Sequence, residues 1–109
     1  LMNSQGDWYK VADSLASIPF NEKKIALIKL AGKEICLVNS PLGLRACTNR
    51  CPHAGGNLSE GFIDSRNHIV CCVHYYRFSL DTGRDALNEG YFLKTYPTKV
   101  NEEGVFVKV

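Results

Sequence analysis

The chain has 109 residues, with 13 Lys and Arg against 11 Asp and Glu, five cysteines and three histidines. That length suits one domain over 1–109, and a net charge of +2 is too small to mark a nucleic-acid or anionic-membrane partner. The longest apolar run, Ile69 to Val73, has five residues, so no helix of this chain spans a bilayer, and Leu1 ahead of Met2 reads as an expression scar.

In chain order, Trp8 to Val11 predicts a first strand, and Ala12 to Ala16 a turn of helix capped by Asp13 or Ser14. Lys24–Leu30 and Lys33–Val38 are apolar runs split by Ala31-Gly32, the pattern of a hairpin. Asn39 to Gly43 holds Asn, Pro and Gly and reverses the chain again. Leu44–Thr48 follows as a strand, His68–Cys72 and Tyr76–Leu80 as a further pair, and Asp81-Thr82-Gly83 as a turn. Phe92–Val100 reads as one extended segment in which Pro97 marks an edge or a bulge. Val105, Val107 and Val109 alternate with Phe106 and Lys108, the pattern of a half-buried strand. Short strands at regular spacing with little helix predict an all-β sandwich or barrel, antiparallel throughout.

An odd cysteine count fits a disulfide framework badly. Four of the five cysteines and all three histidines fall between Cys47 and His74, which points to a metal site in a reducing, cytoplasmic setting. Two segments carry the chemistry, Cys51-Pro52-His53-Ala54-Gly55-Gly56 and Cys71-Cys72-Val73-His74, with the seventeen residues from Ala54 to Val70 between their ligand motifs. Two thiolates and two imidazoles suit zinc or an iron–sulfur centre, so ligand type alone does not decide. Pro52 stiffens the span between two ligands, and Gly55 and Gly56 let the backbone bend and aim amide hydrogens at sulfur. Cys72-Val73-His74 is itself C-x-H, which leaves either Cys71 or Cys72 as the second thiolate. Cys36 and Cys47 read as small buried hydrophobes, His68 as a solvated hairpin residue, and Phe78 as packing beneath the second segment.

The spacing C-x-H, then seventeen residues, then C-x-x-H resembles the Rieske family. So do the flanks, from Asn49-Arg50 to Asn57-Leu58, from Cys71 to Asp81-Thr82-Gly83, and through Leu93-Lys94-Thr95-Tyr96-Pro97. The resemblance implies a fold of three small sheets with a cluster-binding subdomain of two loops, about 46–84. It implies one [2Fe–2S] cluster held by Cys51, His53, Cys71 and His74, and it selects Cys71 over Cys72. High-potential members carry a bridging cysteine in each loop; the matching positions here are Gly56 and Val73. They also place Ser and Tyr hydroxyls where this chain has Tyr76 and Phe78. Fewer donors to the sulfurs lower the potential, toward a value on the order of −150 mV.

With His53 and His74 assigned to the cluster, only His68 remains. A mononuclear oxygenase iron needs two histidines and a carboxylate, so the chain reads as a non-catalytic electron carrier. The resemblance implies a monomeric ferredoxin passing one electron from a flavin reductase to a terminal oxygenase, with Pro52, Ala54 and Tyr75 around the histidine tips as the docking patch. A small subunit of an assimilatory nitrite reductase is the second reading, and a zinc-stabilised β module the third. Against a specific dioxygenase partner, the segment Arg84 to Gly90 lacks the proline usual there.

Overall fold

Ten short strands carry the regular structure of residues 6–109, which are the residues the computed structural model describes; Leu1 and Met2 lie outside them. They are β1 (Trp8–Ala12), β2 (Ile25–Leu30), β3 (Lys33–Ser40), β4 (Gly43–Thr48), β5 (Phe62–Ile63), β6 (His68–Val70), β7 (Arg77–Ser79), β8 (Thr95–Tyr96), β9 (Thr98–Asn101) and β10 (Gly104–Lys108). All pairings are antiparallel, in three sheets ordered β1-β10-β9, β2-β3-β4-β8 and β5-β6-β7. Among the described residues no sheet closes on itself, so the expected sandwich or barrel resolves into stacked open sheets without a barrel. No helix among them is long and apolar enough to cross a membrane.

The β2–β3 hairpin turns on Ala31 and Gly32, whose φ values of +53° and +78° are those of a two-residue primed turn, matched to strand twist. The helical turn expected at Ala12 to Ala16 shrinks to a 3₁₀ turn over Leu15–Ser17 capped by Ser14, while Asp13 pairs instead with Lys10 at 2.9 Å. The predicted strand through Cys72 stops at Val70, because Cys71 already begins a turn.

β3 explains the architecture. Its residues Ile35, Cys36, Leu37 and Val38 are all 0% exposed, which a strand achieves only when both faces are covered. Successive side chains point to opposite faces. Ile35 and Leu37 join a core with Leu44, Ala46, Val105 and Val107. Cys36 and Val38 join another with Cys47, Leu58, Ile69, Phe78, Leu80 and the candidate ligands Cys51 and Cys71. The four-stranded sheet is therefore a shared wall between a structural core and a core beneath the metal loops. Phe92–Val100, expected as one extended segment, breaks at Pro97: β8 pairs with β4 and β9 with β10. Proline donates no ladder hydrogen bond, and the chain crosses there from one sheet to the next.

Candidate metal centre

The two cysteine–histidine segments form turns of one pattern. In the first, the Cys51 N–H donates to the Gly56 carbonyl at 2.8 Å, and the Gly55 N–H donates to the Cys51 carbonyl at 2.8 Å. In the second, the Cys71 N–H donates to the Tyr76 carbonyl at 2.9 Å, and the Tyr75 N–H to the Cys71 carbonyl at 2.8 Å. Each turn closes through a left-handed residue, Gly55 at φ +76° and Tyr75 at φ +59°. Glycine adopts that conformation freely, whereas a tyrosine is strained in it. His53 stands two residues past its cysteine and His74 three past its own. Similar turns thus project the two imidazoles from different steps, and the rings meet edge-on with centroids 5.1 Å apart.

The thiols are held differently from the rings. Cys51 and Cys71 are each 1% exposed and lie in the same buried cluster. Burial pushes the Cys51 thiol up, while the backbone N–H groups of Ala54 and His53 pull it down by donating to the sulfur. The amides of the first turn thus lie on the side of the Cys51 sulfur. Cys72, unlike this pair, is exposed. His53 is half-buried and His74 exposed. Among the described residues no three or more His, Cys, Asp or Glu converge as for a single metal ion. The donors stand instead as two like pairs, thiol with thiol and imidazole with imidazole, a set that fits a two-iron cluster with unlike irons.

Gly55 is the bend residue of its loop, but Gly56 is needed for space. A Cβ at Gly56 would stand 2.7 Å from Val73 Cγ2 and 3.1 Å from Cys71 Sγ. Gly56 and Val73 thus face one another across the loops.

Several residues that sequence reasoning passed over support the centre. Asn49, 3% exposed, clamps the base of the first loop: its Nδ2 donates to Glu34 at 3.2 Å and to Asn57 at 3.1 Å. Its Oδ1 accepts from the Ser59 N–H at 2.9 Å and from the Cys36 thiol at 3.3 Å. Cys36 lies opposite Cys47 in the β3–β4 register. The Cys47 thiol is pushed well up, first by its hydrogen bond with Cys36 and then by burial, so both behave as the buried core thiols expected. His68 departs from expectation. It is half-buried, and its Nδ1 lies 2.9 Å from Asp64, which also receives Arg77 at 2.8 Å.

The segment after the Thr-Gly turn folds against the first loop without a proline. The buried Asp85 carboxylate accepts the Glu89 N–H at 2.9 Å and the Tyr91 N–H at 2.8 Å. Those amide donors, Glu89 first, hold the Asp85 carboxyl below its usual range. Tyr91 stands edge-on to His53 at 5.3 Å, and the Tyr76 ring stacks on His53 at 3.8 Å and 14°. The Tyr76 hydroxyl donates to Glu89 at 2.6 Å. That bond, with a smaller contribution from burial, pushes the phenol up to about 12. Phe78 is fully buried below, as packing required. Asn49 and Glu89 act through partners eight or more positions away, and Asp85 through amides four and six positions on, so none of the three gives a period to read.

Comparison with known proteins agrees with this geometry. A ferredoxin component of naphthalene 1,2-dioxygenase/salicylate 5-hydroxylase systems from Ralstonia sp is 33% identical over 104 residues, covering 94% of this chain and 96% of the other. In structure, the ferredoxin of carbazole 1,9a-dioxygenase from Nocardioides aromaticivorans IC177 superposes with a TM-score of 0.78 at 24% identity, over 93% of this chain and 96% of that one. A Mycobacterium tuberculosis chain assigned as an NADH-dependent nitrite reductase small subunit shares the fold at a TM-score of 0.79 and 21% identity, over 97% and 98%. Residues 7–97 match the Rieske [2Fe-2S] domain model. With two buried thiols, two imidazoles at loop tips and that match across most of its length, the chain belongs to the Rieske [2Fe–2S] domain family, whose cofactor is a [2Fe–2S] cluster bound by cysteine and histidine.

Proposed function

We propose that Cys51 and Cys71 hold one iron and His53 and His74 the other, and that the protein is a ferredoxin carrying one electron from a flavin reductase to a terminal oxygenase. The observation that carries this reading is the asymmetry of the donors: the thiols lie in the core, while the His74 imidazole reaches the surface. When bound, the cluster stores and releases a single electron. Cys51 and Cys71 anchor it by losing their protons, and the Ala54 and His53 amides compensate charge on sulfur. His74 forms the outward edge. Val73 and Tyr75 beside it are 49% and 65% exposed and, with Pro52 and Ala54, would form the small, transient contact typical of redox partners.

Two features support a low potential. Phe78 has no hydroxyl, and that of Tyr76 is committed to the Glu89 carboxylate, so neither side chain donates to a cluster sulfur. We propose further that 1–109 forms one domain, acts as a monomer in the cytoplasm, and has no catalytic reaction of its own. The likeness to a nitrite reductase small subunit favours one second reading, an electron-transfer subunit docked within a reductase complex; retention of all four donors favours the ferredoxin.

Electron paramagnetic resonance with a redox titration tests the proposal. A rhombic signal on reduction and a midpoint on the order of −150 mV are expected. A colourless protein with stoichiometric zinc, or a clearly positive midpoint, would overturn it. Reduction by a dioxygenase-type flavin reductase, followed by substrate turnover with its oxygenase, separates the ferredoxin from the subunit reading.

A further inference from the structure

Tyr76 and Glu89 are thirteen residues apart, and the 2.6 Å bond between them joins the second cluster loop to the segment 84–92. The joined ring lies flat on His53, with centroids 3.8 Å apart. A second ring, Tyr91, meets both His53 and Tyr76 edge-on, at 5.3 and 5.6 Å. The backbone N–H groups of Glu89 and Tyr91 hang from the one buried carboxylate of Asp85. A single hub thus sets the height of the group that grips Tyr76 and of the ring that walls His53. His74 is exposed, and among the described residues its one aromatic contact is the edge of His53.

We infer that Tyr76 is a positioning residue for His53, latched by Glu89, and that this latch makes the two histidines mechanically unequal, with His53 braced from behind by a stacked ring and His74 without such a brace at the surface. The inference rests on the ligand assignment proposed above. An imidazole on a loop tip rotates about χ2 unless something faces its ring, and a stacked phenol restricts that rotation on one side. The phenol itself swings about χ1 unless its far end is tied, and the charge-assisted bond from its hydroxyl to Glu89 ties it. No bond of the latch involves a cluster sulfur, so its action runs through ring orientation.

The test uses the reduced holoprotein and reads the nitrogen couplings of the two histidine ligands by pulsed electron paramagnetic resonance, together with the rate of iron release to a chelator. In the parent, two sets of couplings are expected; their absence would defeat the ligand assignment, whatever the variants do. In Tyr76→Ala, one set broadens or shifts while the other stays, and iron release accelerates about tenfold. Tyr76→Phe keeps the stack and restores the couplings, but releases iron about threefold faster than the parent. Glu89→Ala also accelerates release about threefold, and adds less than twofold in the Tyr76→Phe background. Couplings in Tyr76→Ala identical to those of the parent would overturn the inference. So would equal effects of Glu89→Ala in both backgrounds, a comparison that holds even where Tyr76→Ala takes up no cluster.

Discussion

Gly56 and Tyr75 show how tightly the loop tips are specified at the level of single residues. The space that a side chain at Gly56 would need is filled by Val73 and the Cys71 sulfur. Gly56→Ala must part the two loops, and is expected to lower unfolding stability by about 1–3 kcal/mol, measured by denaturant titration, with faster loss of visible absorbance. Tyr75 presents the opposite case. It holds a left-handed conformation at φ +59° that costs a non-glycine residue about 1–2 kcal/mol, yet the residue is 65% exposed and contributes little packing. Strain of this kind is tolerated where a side chain serves something outside the fold. Tyr75→Gly relieves the backbone at some entropic cost, so stability should rise by up to about 1 kcal/mol. Electron delivery to the oxygenase, followed by stopped-flow absorbance, should fall. Unchanged delivery would remove Tyr75 from the docking surface.

Among the elements, the β5–β6 hairpin illustrates a charge network that sets stability with pH. Burial raises the Asp64 carboxyl, but hydrogen bonds from the His68 amide and ring, the Arg66 amide and the Arg77 guanidinium outweigh it and bring it down to about 2. A carboxyl held below its unfolded value stabilises the fold above that value, and the contribution fades as pH falls toward the folded one. Asp64→Asn should therefore cost about 1 kcal/mol at pH 7 after solvent screening, with the difference from the parent shrinking below about pH 4 and gone near pH 2. Equal losses at every pH would show the carboxylate charge to be irrelevant. In this hairpin the sequence makes only β6 legible: Phe62 and Ile63 of β5 are too short a run to announce a strand. The four candidate ligands are legible outside it, because their spacing falls within short loops. The pairing of His68 with Asp64, the clamp at Asn49 and the Tyr76–Glu89 contact are not visible, since polar side chains give no period and their partners are chosen by folding. Pro97 was legible as an edge or a bulge within one extended segment, but that it divides two strands of different sheets depends on partners elsewhere in the chain.

Across the whole molecule, the two faces of β3 divide stability from redox chemistry. Leu37 faces the core shared with Val105 and Val107, away from the metal loops. Leu37→Ala should cost about 2–5 kcal/mol of global stability while the resonance spectrum of the reduced protein stays that of the parent; a changed spectrum would mean that the shared wall transmits strain between the cores. The far core is completed by the pairing of β1 with β10, partners separated by 92 positions between Ala12 and Gly104. A ribosome delivering roughly 5–20 residues per second makes β1 wait about 5–18 seconds for its neighbour. Both cysteine–histidine turns emerge during that interval, so during biosynthesis the residues of both loops leave the ribosome before the strand that completes the opposite core.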